Sequence, residues 1–377
     1  MKNYRNIFVC VAISILFYAV YTLIMIIPST YADEEQIKSV IKQYFDLKYE
    51  SLHDLKLEDF SHLVSRRDKA QRFLQDETDK REIEIFKADI NELRYLKYDY
   101  FLEYDSIKIR EQTETAVVTV IEGHDVVFET SPDITSSMRN LKHSIVLRKE
   151  DNEWMIVRDN YNDDLRKYLD KSGLSKNQIF KRIRMRKEKK DGKLLDEIPL
   201  NIPNDIVPKV GKWYSSYNRT SATSYAKRWA YKRNSKFGDF SNMGGDCTNF
   251  ASQVINAGGA PMDSTGNYLW YYYGYNSRSP SWTGVNELYD YLVGNTYTGP
   301  VGSLTSDAYV EKGDIIQLDF EGDDDFDHSP VVVNKRKNRS GGIDIWIAAH
   351  SVDRYNYPLT NYDWEDIRFI SIKGYYD

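Results

Sequence analysis

The chain contains very little cysteine, since its 377 residues include only Cys10 and Cys247. Cys10 lies in an apolar N-terminal segment, so the remainder has a single thiol and cannot form an internal disulfide. No lipobox precedes Cys10, which argues against a lipoprotein. The chain also lacks an excess of basic residues, because its net charge is −6. This charge argues against a nucleic-acid-binding protein, which normally presents a basic face.

Metal-binding spacing and internal repeats are also absent from the sequence. The histidines of the first half are scattered, and we expect no metal site and no cofactor. One acidic loop, EGDDDFD at residues 321–327, is rich in carboxylates. Oxygen-rich loops suit calcium, but this spacing is not that of a calcium loop. We interpret the loop as a solvated turn.

The N-terminal segment has the pattern of a secretory signal. Lys2 and Arg5 precede an apolar run from Ile7 to Ile27, and small residues follow at Thr30 and Ala32. This pattern predicts a signal peptide over residues 1–32. The run is also long enough to be a retained membrane anchor. Under both interpretations we expect a secreted or cell-envelope, extracytoplasmic protein, with possible membrane association through this segment.

Residues 35–170 have the pattern of an α+β accessory domain. Apolar residues at helical spacing begin at Ile37, and the pattern predicts helix through 57–65 and from Arg66 to Leu96. Five strands are predicted after that, over 100–112, 113–123, 124–131, 142–151 and 153–160. Helices followed by a curved antiparallel sheet resemble, in pattern only, the cone-like SnoaL-like fold. That resemblance implies a scaffold for a ligand pocket.

A linker and a second domain are predicted to follow. Residues 171–212 combine a basic run, Lys181–Lys193, with prolines that favour an extended spacer. The basic run is typical of a solvated helix face, and attraction to anionic wall polymers or lipid headgroups is the alternative. Residues 213–377 are richer in tyrosine, tryptophan and glycine, and we expect them to form the second domain.

The stretch GGDCTNFASQ, residues 244–253, places the remaining thiol at the start of a predicted helix. Free N–H groups at a helix N-terminus favour the thiolate of Cys247, which is the competent nucleophile. The same groups can hold an oxyanion, with Asp246 and Thr248 in positioning roles and Asp246 as a helix cap. The alternative is that Cys247 is only a packed apolar residue.

A cysteine nucleophile requires a base, and the second domain contains only His328 and His350. His328 begins one predicted strand and His350 ends the next. A turn near Ser340 makes these strands antiparallel, so we expect the two histidines to be neighbours. One would accept the thiol proton and the other would orient it.

These motifs resemble a known family. The segment from Tyr217 to Gly259 is similar to the putative amidase domain family, whose relatives include NlpC-type and CHAP cell-wall amidases. The resemblance covers residues 213–375 and includes DCTNF at 246–250, KGDIIQ at 312–317 and DHS at 327–329. It implies a papain-like cysteine hydrolase fold, with Cys247 as nucleophile and His328 as general base. The third member would be His350, with Asn334 or Asp344 as alternatives.

The ring-rich segment 267–292 offers candidates for a substrate groove, and we favour Trp270, Tyr272 and Trp282. Taken together, these features predict an exported cysteine amidase that works through a thioester. Location and resemblance indicate peptidoglycan or a peptide as the substrate. The alternatives are an extracellular protease or transpeptidase, and a non-catalytic protein that binds the cell wall.

Overall fold

A computed structural model describes residues 31–191, 214–265, 269–338 and 342–377. Nearly all of the expected signal segment and the proline-containing part of the linker lie outside these residues. Among the helices within the described ranges, none is both long and apolar enough to cross a membrane.

The described residues form groups of helices separated by runs of antiparallel strands. The helices are α1 (31–54), α2 (Asp68–Ile90), α3 (Asp164–Ser172), α4 (Lys176–Asp191), α5 (Arg219–Trp229), α6 (Cys247–Ala257), α7 (Pro280–Thr283) and α8 (Val285–Gly294). The strands are β1 (Tyr95–Arg110), β2 (Thr115–Phe128), β3 (Thr135–Glu150), β4 (Glu153–Asn160), β5 (Tyr214–Ser215), β6 (Tyr272–Gly274), β7 (Ser277–Arg278), β8 (Gly299–Thr305), β9 (Ile315–Asp319), β10 (Val331–Lys337), β11 (Ile343–Ala349), β12 (Asp353–Pro358) and β13 (Asp366–Tyr376).

The first unit packs α1 and α2 against an antiparallel meander of β1 to β4. The helical spacing in α1 is confirmed, because Ile37, Ile41 and Phe45 are completely buried against the sheet. The stretches predicted as strands 113–123 and 124–131 form one strand, β2, whose register shifts between Glu122 and His124. A β-bulge of this kind bends the strand and curves the sheet.

Two parts of the helical prediction for this unit are wrong. Residues 57–65 form a loop with a short 3-10 turn, Ser61–Leu63, and Val64 makes a bridge to Ile156. Helix α2 ends at Ile90, and residues from Tyr95 onward are in β1. Tertiary packing against β4 overrides helix propensity in the first case.

The second unit places helices α5 to α8 against the other half of the sheet. Strands β9, β10, β11 and β13 are antiparallel neighbours, and β10 pairs with β11 as the sequence predicts. The amphipathic face of α6 packs inward through Phe250, Val254 and Ile255, which are fully buried. This packing fixes the helix that carries the only thiol of the described residues.

The sheet is continuous across the expected boundary between the two units. Strand β3 pairs with β12, so the order runs β1-β2-β3-β12-β11-β10-β9-β13-β5. A shared core joins Leu165 and Tyr168 of α3 to Ile316, Val332 and other strand residues of the second unit. The α+β class is therefore confirmed, and the first unit is packed directly against the second.

Helix α4 includes part of the predicted basic run, and one of its faces is packed rather than solvated. Ile179 and Ile183 are buried in the shared core. Arg186 donates to the Trp364 carbonyl at 2.6 Å. Some of the basic residues therefore join the two units.

Candidate active site

Cys247 is the first residue of α6, as the sequence predicts. It follows Gly244 and Gly245, whose φ angles of +93° and +136° favour glycine strongly over other residues. The cysteine is 6% exposed, and the backbone N–H of Ser329 is near enough to lower the pKa of its thiol. A helix start leaves its first N–H groups without intrahelical partners, so donors for an oxyanion are available beside the sulfur.

His328 immediately precedes Ser329 in the chain. It makes a bridge to Leu318 of β9 and is 4% exposed. Burial lowers the pKa of His328 to about 4, with Asp164 opposing the shift and two cations, Lys167 and Arg354, adding to it. The imidazole is therefore neutral at pH 7 and has a lone pair that can accept a proton.

The thiol and the imidazole are both neutral in this state. Burial raises the pKa of Cys247, while the Ser329 N–H and the Thr248 hydroxyl lower it. Thr248 also donates to the Ser329 hydroxyl at 3.2 Å, and Gln317 donates to that same oxygen at 3.2 Å. These contacts fasten the start of α6 to the strand segment that carries His328.

Asp246 holds the turn before Cys247 rather than capping α6 with its side chain. Its Oδ1 accepts hydrogen bonds from the Phe240 backbone N–H at 3.0 Å and from Asn249 at 2.8 Å. Its Oδ2 lies 2.7 Å from Nδ1 of His350 and 3.2 Å from Nε of Arg233. The carboxylate is completely buried, it holds the turn in shape, and its charge adds to the rise in the pKa of the Cys247 thiol.

His350 is not in a position to orient His328. Its Nδ1 contacts Asp246, and its Nε2 lies 2.8 Å from the Trp229 carbonyl. Its ring stacks on Phe250 at 4.0 Å between centroids. Strands β10 and β11 pair as expected, but the ring of His350 turns towards the loop before Cys247. It therefore supports Asp246 instead of the base.

The alternatives Asn334 and Asp344 lie away from His328. Asn334 accepts a hydrogen bond from the N–H of Lys335. Asp344 is paired in register with Arg336, whereas the end of the hairpin near His328 is marked by the pair Val331 and Ala348. Neither side chain is placed to orient the base.

The groove prediction for Trp270, Tyr272 and Trp282 is wrong. Both tryptophans are completely buried and Tyr272 is 8% exposed, all within the core behind α6. Their polar atoms have partners there: Trp270 Nε1 donates to Ser252 at 3.1 Å and Trp282 Nε1 donates to Asn249 at 2.8 Å. These rings position α6 and do not line a groove. The rings that reach solvent nearby include Tyr273 and Tyr275, which are 63% and 44% exposed.

Three residues near His328 were not identified from the sequence. Asp164 begins α3, Arg354 lies on β12, and Tyr362 follows the 3-10 turn Leu359–Asn361. Asp164 Oδ2 accepts from Arg354 Nε at 2.8 Å, and the Tyr362 ring lies 5.4 Å from the His328 ring. Only the tertiary fold brings them together, since they are separated along the chain. The pair Asp163–Asp164 would be interpreted from sequence as the acidic first turn of a helix.

A cavity of about 70 Å³ lies between the two units. The first unit contributes Tyr49, His124 and Ser136 to its wall, and the second contributes Arg354 and Tyr357. Burial lowers the pKa of His124 to about 3. No group of three or more metal-ligating side chains occurs in the described parts of the chain.

Comparison with known proteins places the second unit in a family context. Residues 216–372 match the family model described as "Putative amidase domain", which confirms the resemblance drawn from the Cys247 and His328 motifs. The description of this model names an amidase domain and no substrate.

Two relatives from Bacillus subtilis (strain 168) are similar to part of the chain. "Uncharacterized protein YhbB" is 37% identical over 124 residues, which cover 32% of this chain and 38% of that protein. "Uncharacterized protein YjcM" is 26% identical over 157 residues, which cover 39% of this chain and 33% of that protein. The chain thus spans less than two fifths of the length of these relatives. No solved structure matches it.

Proposed function

We propose that this protein is an extracytoplasmic cysteine amidase that hydrolyses amide bonds in peptidoglycan through a thioester on Cys247. The observation that carries the proposal is the position of Cys247 at the first turn of α6, where the next residue, Thr248, is hydrogen-bonded to Ser329, the residue that follows His328. A cysteine that only fills space in the core would require neither a helix start nor a link from that helix to the segment that carries a neutral histidine. The family match at residues 216–372 supports hydrolysis of an amide bond.

In the proposed reaction, His328 accepts the Cys247 proton as the sulfur attacks the substrate carbonyl carbon. The carbonyl oxygen becomes an oxyanion, and the free N–H groups of the first turn of α6 hold it. The tetrahedral intermediate collapses, His328 returns the proton to the leaving amine, and an acyl group remains on sulfur. Water, deprotonated by His328, then releases the carboxylic acid and restores the thiol.

The substrate class is inferred from the expected location. The predicted signal segment would place the domain outside the membrane, where peptidoglycan is the abundant amide polymer. Transfer of the acyl group to an amine instead of water, or wall binding without turnover, would each produce a different result in the experiment below.

The test incubates the purified protein with purified peptidoglycan and measures new free amines, with the fragment masses identified afterwards. We expect Cys247→Ala and His328→Ala to lose at least about a thousandfold in rate, as in other nucleophile–base pairs. His53→Ala is the matched control, because this histidine is on the surface of the first unit. Its rate should equal that of the unmodified protein.

Each alternative has a distinct outcome. Cross-linked products that accumulate with added amines would indicate a transpeptidase. Binding to peptidoglycan with no amine release, together with slow alkylation of Cys247 at neutral pH, would indicate a binding protein. Amine release that survives Cys247→Ala would exclude the proposed mechanism.

A further inference from the structure

Two polar atoms, one on the proposed base and one on the neighbouring ring, are buried without a hydrogen-bond partner in the described structure. They are Nε2 of His328 and the hydroxyl of Tyr362, and the two ring centroids lie 5.4 Å apart. Buried polar groups are nearly always paired, so two adjacent exceptions require an explanation. The family resemblance left the third member of the site open, and His350 is engaged elsewhere.

Helix α3 brings a carboxylate to this position from outside the family match. Asp164 is 7% exposed, and its Oδ2 accepts from Arg354 Nε at 2.8 Å. The guanidinium of Arg354 lies 5.8 Å from the centre of the Tyr362 ring. The other carboxylate oxygen, Oδ1, lies 4.0 Å from Lys167 Nζ. Carboxylate, guanidinium, phenol and imidazole are therefore clustered in one buried region.

We propose that Tyr362 and Asp164 are the positioning residues for His328, and that the first unit thereby supplies part of the active site. During proton transfer the Nε2–H of His328 donates to the Tyr362 oxygen and the Tyr362 hydroxyl donates to Asp164, two hydrogen bonds that the described structure does not contain. This arrangement leaves the lone pair on Nδ1, where it accepts the thiol proton. The imidazolium keeps its Nε2 proton, and Asp164 stabilises it without becoming protonated. The inference rests on the proposed function of Cys247 and His328.

The charges around the base are consistent with this role. Three ionised groups act on the His328 imidazole: Asp164 and Lys167 from α3, and Arg354 from β12. Of these, only Asp164 favours the imidazolium. Burial would raise the pKa of Asp164, but Arg354, Lys167 and His328 hold it below its ordinary value, so it remains a carboxylate. Burial and the Asp164 charge raise the pKa of Tyr362 well above its ordinary value, so the phenol keeps its proton.

The test measures how fast iodoacetamide alkylates Cys247 across pH, which requires no substrate. The full chain is used with Cys10→Ser, so that a single thiol reacts. Asp164→Asn and Tyr362→Phe are compared with the controls Asp163→Asn and Tyr357→Phe. Asp163 is the adjacent carboxylate and pairs with Lys80, and Tyr357 packs against Tyr362 with ring centroids 5.4 Å apart.

We expect His328, as the base that accepts the thiol proton, to make alkylation at neutral pH faster than in His328→Ala. Losing Asp164 or the Tyr362 hydroxyl should reduce the rate at pH 7 roughly tenfold, the effect of about one pH unit in the titration of the pair. Both controls should keep the rate of the parent protein. Asp164→Glu retains the carboxylate and should recover most of the rate. Circular dichroism checks that each variant is folded.

The outcomes separate the two proposals. If the parent protein and His328→Ala alkylate equally, the proposed function fails and this inference fails with it. If His328 matters but Asp164→Asn and Tyr362→Phe alkylate at the parent rate, only this inference fails. If Asp164→Asn does not fold, Tyr362→Phe decides, because it removes a single oxygen that has no partner in the described structure.

Discussion

Replacement of Asp246 by asparagine tests how the turn before Cys247 is held. The amide oxygen can still accept from the Phe240 N–H and from Asn249, so the bonds to Oδ1 survive. The amide nitrogen would face His350 Nδ1 and Arg233, which lie 2.7 and 3.2 Å from Oδ2. An amide nitrogen cannot accept a hydrogen bond from either His350 or Arg233. The variant therefore loses one charge-assisted hydrogen bond and the charge opposite Arg233.

A hydrogen bond to a charged group contributes about 1.5–3 kcal/mol. Arg233 is 23% exposed on its side chain, so water screens part of the loss of its ion pair. We expect the free energy of unfolding of Asp246→Asn to fall by about 2–3 kcal/mol, measured by urea denaturation. The matched control is Asp239→Asn, an exposed partner of the same arginine at 3.5 Å, which should change it by less than about 0.5 kcal/mol. A loss below about 0.5 kcal/mol for Asp246→Asn would refute the reasoning.

Three further predictions follow from other parts of the structure. Gly245→Ala should slow alkylation of Cys247 and lower stability, because φ is +136° and a Cβ would lie 3.0 Å from the Ser351 hydroxyl oxygen. Trp282→Phe removes the bond to Asn249 and should reduce the free energy of unfolding by about 1–3 kcal/mol while KM is unchanged, measured by denaturation and kinetics. Burial lowers the pKa of His143, but Asp159 and Glu122 outweigh burial and raise this pKa to about 9. The protonated histidine therefore stabilises the folded protein fully below about pH 6.5, and this stabilisation is lost as the pH rises through 9. In His143→Gln, the free energy of unfolding measured by urea denaturation should fall less over this pH range. An unchanged fall would contradict the role given to His143.

The residues that the sequence placed correctly are those whose role depends on local structure. Two glycines before a helix start located Cys247, and strand periodicity with a turn located β10 and β11. The α+β class follows from the same periodicities. Each of these patterns is written in consecutive residues, so no tertiary information is required.

The errors arise where a role depends on contacts between distant segments. The direction of the His350 ring is set by Asp246 and the Trp229 carbonyl, which no strand pattern encodes. Trp270 and Trp282 were assigned to a groove because rings with polar tips suit ligands, but their N–H groups are satisfied within the core. The placement of Asp164 beside Arg354 depends on the packing of α3 against the second unit.

The most direct test of the central claim is mass spectrometry of the protein after brief incubation with peptidoglycan fragments. The account predicts an acyl group on Cys247 that hydroxylamine removes and that does not form in Cys247→Ala. It also predicts that His328→Ala acylates much more slowly. Amine release with no adduct on Cys247, at the same rate in Cys247→Ala, would contradict a cysteine mechanism.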